Sequence, residues 1–488
     1  MYILTDGIAS RYEYEKLARV FFPDQKMNES EADDPRALRI EVRWRGNSLS
    51  SRLKLGDSEF FDQAVAPPDR EQDKNYCELT IAQLLCRQLI RLTGFNPPWG
   101  LLTGIRPMKL LRMLTREYGK EEAERRFKED YLVSDKKLAI SRRTIVGEDK
   151  ILSLSRDNSF SLYISVPFCP SRCSYCSFVS QSIEHAAKLI PEYTELLVKE
   201  LKITADIADS LGLHLESVYM GGGTPTTLSA EQLERVLTAA AESFRIGDRG
   251  QLHEFTVEAG RPDTITPEKL AAIKRCGVGR ISINPQTLND GILRSIGRRH
   301  TVEQVYQAMD MAKAAGFENI NMDLIAGLQG DTLESYMHTM DGVIALDPAS
   351  ITVHTLAMKR SASMVTGHIA QYNAEGELAS RMLDYGEKRL TESGYDPYYL
   401  YRQSGMVGNL ENVGWAKPGF EGAYNVFIMD ETHTILAVGG GAVTKLKQPH
   451  VNNIERIFNY KYPYEYIARF NEMIDRKKGI KEFYDKFC

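Results

Sequence analysis

Residues 161–178 read SLYISVPFCPSRCSYCSF. The first six are apolar, β-branched or aromatic in dense succession, the pattern of a buried strand. A proline ends the run. Three cysteines follow at Cys169, Cys173 and Cys176, a C-x3-C-x2-C spacing in a loop straight after the strand. Thiolates are the natural ligands of iron–sulfur clusters. Four irons held by three cysteines leave one iron open to a small molecule that chelates through an amine and a carboxylate. A zinc site would want a fourth Cys or His close by, and Ser177 and Phe178 come next instead. The bland alternative is three buried reduced thiols.

Working outward, the same strand-then-helix rhythm recurs. Strand candidates are SLYISV, ESVYMG, EFTVEA, GRISIN, NINMDLI and SITVHTL, beginning at residues 161, 216, 254, 279, 319 and 350. Helical runs lie between them: Ala186–Leu211, Ala230–Phe244, Pro267–Cys276, Val302–Ala315 and Leu333–Ala345. Ser229 with Gln232 reads as a capping box, and Thr266 precedes a first-turn proline. Six such βα units imply a parallel sheet, because parallel strands need crossover connections. The expected fold class is α/β, a (β/α)6 partial barrel with its chemistry at the C-terminal ends of the strands.

A single core rarely grows past about 250–300 residues, so 488 residues imply two or three domains. Residues 1–150 read as an N-terminal α+β domain with a helical connector, and carry no catalytic residue. Residues 151–370 hold the barrel, and 371–488 read as a C-terminal α+β, substrate-covering region rich in Tyr and Gly. Net charge is −5, so no basic excess points to nucleic acid. No stretch of ~20 apolar residues and no export signal is evident. Seven cysteines, an odd number in a long chain, argue against a disulfide framework. A cytoplasmic location is expected.

The second chemical signal is Gly221-Gly222-Gly223-Thr224-Pro225-Thr226, directly after the second strand. Three missing Cβ atoms let backbone groups approach a ligand closely; tight turns also use such runs. Glu258, Gln286 and Asp323 are polar groups at later strand ends, where burial demands partners. Each reads either as a ligand contact or as a satisfied structural group. Arg298 reads either as a carboxylate partner or as a solvated charge. Tyr163 and Tyr175 flank the cysteine loop, and Tyr175 could pack on adenine.

On these motifs, with VYMGGGTPT, RISINPQTLND and NMDLIAGLQGDT, the chain resembles the radical S-adenosylmethionine (SAM) superfamily, within it the oxygen-independent coproporphyrinogen III oxidase group. PPWGLLTGIRPMKLLRML, together with CPSRCSYCSF, is most similar to the HemZ-type coproporphyrinogen dehydrogenases. The resemblance implies a [4Fe–4S] cluster on Cys169, Cys173 and Cys176 and one or two SAM molecules. It implies that Tyr163, Tyr175, Gly222, Gly223, Thr224, Glu258, Gln286, Arg298, Asp323 and Ala357 contact SAM. It implies a 5'-deoxyadenosyl radical that abstracts hydrogen from propionates of coproporphyrinogen III. Decarboxylation to vinyls would then give protoporphyrinogen IX in haem biosynthesis, with electrons from a low-potential donor. It assigns no further residue to the chemical step. Lys359, Arg360 and Arg402 are candidate cations for the propionates, or solvated surface charges. Two positions depart from HemN-type oxidases: Phe178 replaces a further Cys, and Ser165 replaces a His. Relatives that handle haem share both departures, so a haem chaperone of HemW type, or another radical SAM reaction on a tetrapyrrole, is the alternative.

Overall fold

The computed structural model describes residues 1–488 apart from 24, 26, 29–36, 105, 177, 179, 248–251, 358–368 and 404, and describes 369–374 by backbone alone. Lys359 and Arg360, and most of the acidic loop 27–35, lie outside the described residues.

Alternation of apolar and polar residues builds a four-stranded sheet at the start of the chain. Tyr2–Asp6 pairs in parallel with Arg39–Arg45, and two hairpins add Ser48–Leu55 and Ser58–Val65. One face buries Ile40, Val42, Leu49 and Leu53 against the helices Tyr12–Phe21 and Lys74–Thr93. Ser51 is the polar exception on that face. Gln88 resolves it, accepting from the Ser51 hydroxyl at 2.9 Å and donating to its carbonyl at 2.8 Å. The next helices, Pro107–Tyr118, Lys120–Glu129 and Asp135–Leu152, bury their apolar stripes in the larger core of the chain instead.

That larger core surrounds an eleven-stranded sheet. Its centre is six parallel strands in sequence order: β1 (Ser159–Val166), β2 (His214–Gly222), β3 (Glu254–Glu258), β4 (Arg280–Gln286), β5 (Asn319–Ala326) and β6 (Ser350–Thr355). These are the six strands the sequence marks. They are buried along most of their length, as expected where both faces are covered, with apolar Val, Ile, Leu and Met interleaved with buried Ser, Thr and Asn. The helices between them start where the caps demand. Ser229 and Gln232 form the reciprocal capping box, and the Thr266 side chain accepts from the Lys269 N–H.

The C-terminal region extends the sheet at both edges. On one side, β7 (Asp396–Tyr401) and β8 (Asn412–Ala416) follow β6 in antiparallel pairing. On the other, β9 (Thr434–Val438) runs parallel to β1 and carries the antiparallel pair β10 (Val443–Lys447) and β11 (Ile454–Phe458). The order across the sheet is β7-β8-β6-β5-β4-β3-β2-β1-β9-β10-β11. No described helix is long and apolar enough to cross a membrane.

Arg402 follows β7 and is neither a surface charge nor open to a substrate. It is buried, donates to the carbonyls of Leu102, Asn409 and Leu410 and to Asn409 Oδ1, and lies over the Trp99 ring. Burial pulls it down to about 10. Its work is to clamp the connector to the C-terminal region.

Candidate functional site

Two loops leave the C-terminal ends of β1 and β2 and lie against each other. The cysteine loop is closed at its base by a two-residue parallel pair, Phe168–Cys169 with Gln181–Ser182. The glycine loop is laced to it by backbone bonds: the Gly223 N–H donates to the Val166 carbonyl at 2.8 Å, and the Thr224 N–H to the Phe168 carbonyl at 2.7 Å. A Cβ on Gly223 would stand 2.5 Å from the Phe168 carbonyl oxygen, so this approach admits glycine alone.

Each thiol has a distinct neighbourhood. Thr224 Oγ1 lies 3.6 Å from Cys169 Sγ. Arg261 Nη1 lies 3.8 Å from Cys173 Sγ, and the same guanidinium donates to Ser171 Oγ at 3.1 Å and pairs with Asp263 at 3.2 Å. Burial pushes the Cys176 thiol up, and the Cys173 and Cys169 sulfurs add to it. Among the described residues no three His, Cys, Asp or Glu side chains converge on one metal ion. A single zinc would draw thiolates to ~3.8 Å of one another, given Zn–S bonds near 2.3 Å. A cubane makes no such demand, because each thiolate bonds a different iron. The donor set therefore fits a cluster: three cysteines of one loop, with a hydroxyl and a guanidinium at the sulfurs, the kind of contact that tunes cluster potential.

The wall beside this loop is polar and incompletely satisfied. Along β4, Ser282 Oγ, Asn284 Oδ1 and Gln286 Oε1 are buried, with no hydrogen-bond partner among the described residues. Gln286 also holds φ at +69°, past a register shift in the β4–β5 ladder. Buried polar atoms rarely go unpaired, and strained backbone collects at ligand sites. Arg298 reaches across, donating to the Asn284 carbonyl at 2.5 Å and to the Tyr175 hydroxyl at 3.3 Å. These unfilled acceptors, beside glycines that leave room, fit a small polar ligand such as SAM.

Deeper in the barrel, Tyr219 Oη donates to Glu258 at 2.6 Å, and the rings of Tyr163, Tyr219 and Tyr424 form a mutually stacked trio, with centroids 6.4 Å apart for Tyr163–Tyr219, 4.5 Å for Tyr219–Tyr424 and 6.0 Å for Tyr163–Tyr424. Asp323 accepts from Asn321 Nδ2 at 2.7 Å and lies 3.8 Å from His354 Nε2. Burial would raise Asp323, but hydrogen bonds from His354, Asn321 and Thr352 outweigh it and hold the carboxyl below its ordinary value. Ala357, just past β6, makes an isolated antiparallel bridge to Met406. The structure thus gathers Thr224 at Cys169, and Tyr175 and Arg298 about Cys173. Glu258, Tyr163 and Asp323 stand further in. The sequence reading missed Arg261, Asn284, Tyr219, His354 and Tyr424. Arg261 follows β3 by three residues, so the strand-end rule that found Glu258 could have found it. Tyr424 comes from a helix far along the chain and gave no local signal.

Glu258 yields a pH test. Burial, with the Asp323 charge adding, pushes its carboxyl from 4.5 up to about 7, against hydrogen bonds from Tyr219 and Gly222 and the nearby His354. The folded protein thus holds this proton more tightly than the unfolded chain does. The stabilising contribution is complete below pH 4.5 and is lost as pH rises through about 7. In SAM-free protein, the melting temperature of wild type should fall more between these pH values than that of Glu258→Gln. Parallel curves would remove this assignment.

Comparison with known proteins places this arrangement. The radical SAM superfamily profile matches residues 163–343. A Bacillus subtilis (strain 168) protein named oxygen-independent coproporphyrinogen-III oxidase-like protein HemZ is 36% identical over 466 residues, covering 94% of this chain and 90% of its own length. The chain belongs to the radical SAM superfamily, in its oxygen-independent coproporphyrinogen-III oxidase-like group. Radical SAM proteins use a [4Fe–4S] cluster and SAM, and those are its cofactors. The heme chaperone HemW of Lactococcus lactis is 32% identical over 326 residues, 66% of this chain and 79% of HemW. Among solved structures, coproporphyrinogen III oxidase (HemN) from Escherichia coli, a radical SAM enzyme, aligns with a TM-score of 0.51. It covers 67% of this chain and 72% of its own at 22% identity, so this radical SAM chain shares its fold.

Proposed function

We propose that this radical SAM protein oxidatively decarboxylates the propionates of a tetrapyrrole, coproporphyrinogen III, to vinyls. The observation that carries the reading is the meeting of cysteine loop, glycine loop and unfilled β4 acceptors at one barrel mouth. Near full-length similarity to an oxidase-like relative supports the tetrapyrrole.

In this reading Cys169, Cys173 and Cys176 each ligate one iron. The cluster and SAM, when bound, supply a carbon-centred radical able to remove hydrogen from an unactivated C–H. The chain's own groups bind, orient and exclude water. Thr224 and Arg261 tune the sulfurs. The glycine backbone, Gln286 and Arg298 orient SAM, with Tyr163, Tyr175, Glu258, Asp323 and Ala357 completing its surroundings. Tyr219 and Tyr424 shield the inner wall.

A second reading has specific support. Ser165 does not stand free in place of the HemN-type His: its hydroxyl donates to the Gly440 carbonyl at 2.8 Å. Phe178, where those oxidases carry a Cys, is 63% exposed beside the loop. With the HemW similarity, these features favour a haem carrier that keeps cluster and SAM. Anaerobic incubation with SAM, a reductant and coproporphyrinogen III, read by mass spectrometry, separates the two. The enzyme reading expects product lighter by one CO2 and two hydrogens for each vinyl formed, with matching 5'-deoxyadenosine. Deoxyadenosine without vinyl product would remove it. Stable haem binding, with transfer to an apo-acceptor, would then install the carrier.

A further inference from the structure

Three strands bring a carboxylate, an imidazole and a phenol together in the barrel: Asp323 on β5, His354 on β6 and Tyr401 at the end of β7. His354 Nε2 lies 3.8 Å from Asp323 Oδ2, and His354 Nδ1 lies 3.5 Å from Tyr401 Oη. Both contacts are longer than an ordinary hydrogen bond, so the ring is lightly held on either side. Its two neighbours are held firmly. Asn321 Nδ2 donates to Asp323 at 2.7 Å, and Asn321 Oδ1 accepts from Ser350 and Thr352 at 3.1 and 3.2 Å. The Tyr401 ring stacks on Tyr399 with centroids 6.1 Å apart and planes 6° apart. Burial pushes the Tyr401 phenol up to about 12, so at neutral pH it keeps a proton to donate.

The charge around this ring is one-sided. Glu258 and Asp323 both feel His354, and the Asp323 charge bears on Glu258 as well. The arginines near this wall are engaged elsewhere. Arg298 donates to the Asn284 carbonyl and to Tyr175, and Arg280 to Ser350, Tyr398 and the Phe420 carbonyl. Arg402 clamps carbonyls of the connector and of its own loop. An empty wall with two carboxylates repels an incoming acid. The proposed substrate nevertheless carries carboxylates, and a buried carboxylate demands a donor. His354 meets that demand: it is basic, 29% of its side chain is exposed, and neither ring nitrogen is in a short hydrogen bond.

We propose that His354, with the Tyr401 hydroxyl beside it, receives one carboxylate of the substrate, and that Asp323 withholds the imidazole until SAM is bound. In the empty protein the ring leans on Asp323. Once Asp323 turns to SAM, the His354 Nε2–H is free for the incoming carboxylate, and no covalent bond changes. SAM and substrate therefore tighten each other's binding by equal factors. This assignment rests on the tetrapyrrole reading and on the place of Asp323 beside SAM. It adds to them the residue that recognises the acid.

The test uses full-length protein with a reconstituted, oxidised cluster and no reductant, so that SAM stays intact. The probes are coproporphyrin III, a fluorescent carboxylic acid that is not turned over, and its methyl ester, which keeps the ring and loses the charge. Kd values are measured by fluorescence with and without SAM. In wild type, SAM should tighten the acid at least ~10-fold and the ester less than about twofold. With SAM present, His354→Ala should bind the acid at least ~10-fold more weakly, while its Kd for the ester, and for SAM alone, stays within about twofold of wild type. Tyr401→Phe should show the same loss at about threefold. Without SAM, Asp323→Asn should bind the acid more tightly than wild type does. A wild-type Kd for the acid that ignores SAM would overturn the proposal. So would a His354→Ala protein that binds the acid as wild type does, or that loses acid and ester equally, which would make the ring a packing contact. If His354→Ala does not fold, His354→Gln and Tyr401→Phe decide by the same comparison. A wild-type protein that binds SAM but neither porphyrin would sink the tetrapyrrole reading, and this assignment with it.

Discussion

Replacing any one of Cys169, Cys173 or Cys176 with Ala should abolish the brown cluster absorption after anaerobic reconstitution and drop bound iron to background. SAM cleavage should vanish with it. In the proposed reading each thiolate would serve a different iron, so no neighbour could take over the missing bond. Among the described residues no three His, Cys, Asp or Glu side chains gather as a substitute metal site. Cys77, Cys86 and Cys276 supply the contrast. They are free thiols too, and Cys86 is buried with its thiol pushed up to about 12, far from thiolate character at neutral pH. Their Ala variants should keep the colour. Asp323→Ala should also keep the cluster while SAM cleavage falls by about tenfold to a hundredfold, the worth of one or two good hydrogen bonds. Colour retained in a Cys173→Ala protein, or full SAM cleavage in Asp323→Ala, would reject the corresponding role.

The second large effect lies outside the barrel mouth. Glu200, on the helix Ile190–Ser210, is completely buried. It accepts from Lys477 Nζ at 3.0 Å, Asn459 Nδ2 at 2.8 Å, Tyr466 Oη at 2.6 Å and the Gly439 N–H at 2.8 Å. Tyr193 continues the network, accepting from the Gly440 N–H at 2.7 Å and donating to the Ser165 carbonyl at 2.8 Å. A Cβ on Gly439 would stand 2.4 Å from that same carbonyl oxygen, so the segment lies flat against the end of β1. Ser165 is four residues before Cys169. The C-terminal helices thus hold the strand that launches the cysteine loop. Lys477→Met leaves the Glu200 charge buried without its cation and should cost about 3–5 kcal/mol. Glu200→Leu alone strands Lys477 and should cost a similar amount. The double variant Glu200→Leu/Lys477→Met should be more stable than either single, because an apolar pair in that volume carries no orphaned charge. Denaturation with the cluster absent measures this. Single variants as stable as wild type would mean that water reaches the pair.

Much of the barrel was legible because its rules are local. Six apolar runs alternating with helical stretches, several of them with clear cap signals, locate β1 to β6 without any tertiary information. Ser229 with Gln232 and Thr266 before Pro267 mark helix starts because a cap is satisfied within one turn. The cysteine and glycine loops were legible for the same reason: spacing carries their chemistry. What stayed hidden is what distant segments bring together. Nothing in ILAV at 435–438 says that it pairs with β1 rather than forming part of a separate cover. Arg402 looked like a cation for a carboxylate, yet its partners are carbonyls at Leu102, Asn409 and Leu410, and carbonyls leave no side-chain signature. Glu200 sits in an ordinary amphipathic helix, and its four partners come from residues 439–477.

Pairing β9 with β1 also orders events in time. Ser161, in β1, hydrogen-bonds His433, just before β9, across 272 residues of chain. At 5–20 residues per second, a ribosome needs roughly 15–55 s to make that stretch. For that interval β1, the most apolar strand of the barrel's first unit, has an open edge. An uncovered edge of that kind templates pairing with other nascent chains. Such long-range closure is also slow once the chain is released. Biogenesis of this protein is therefore the stage most exposed to aggregation, and its yield should depend on translation speed and holdase supply more than on the stability of the finished barrel.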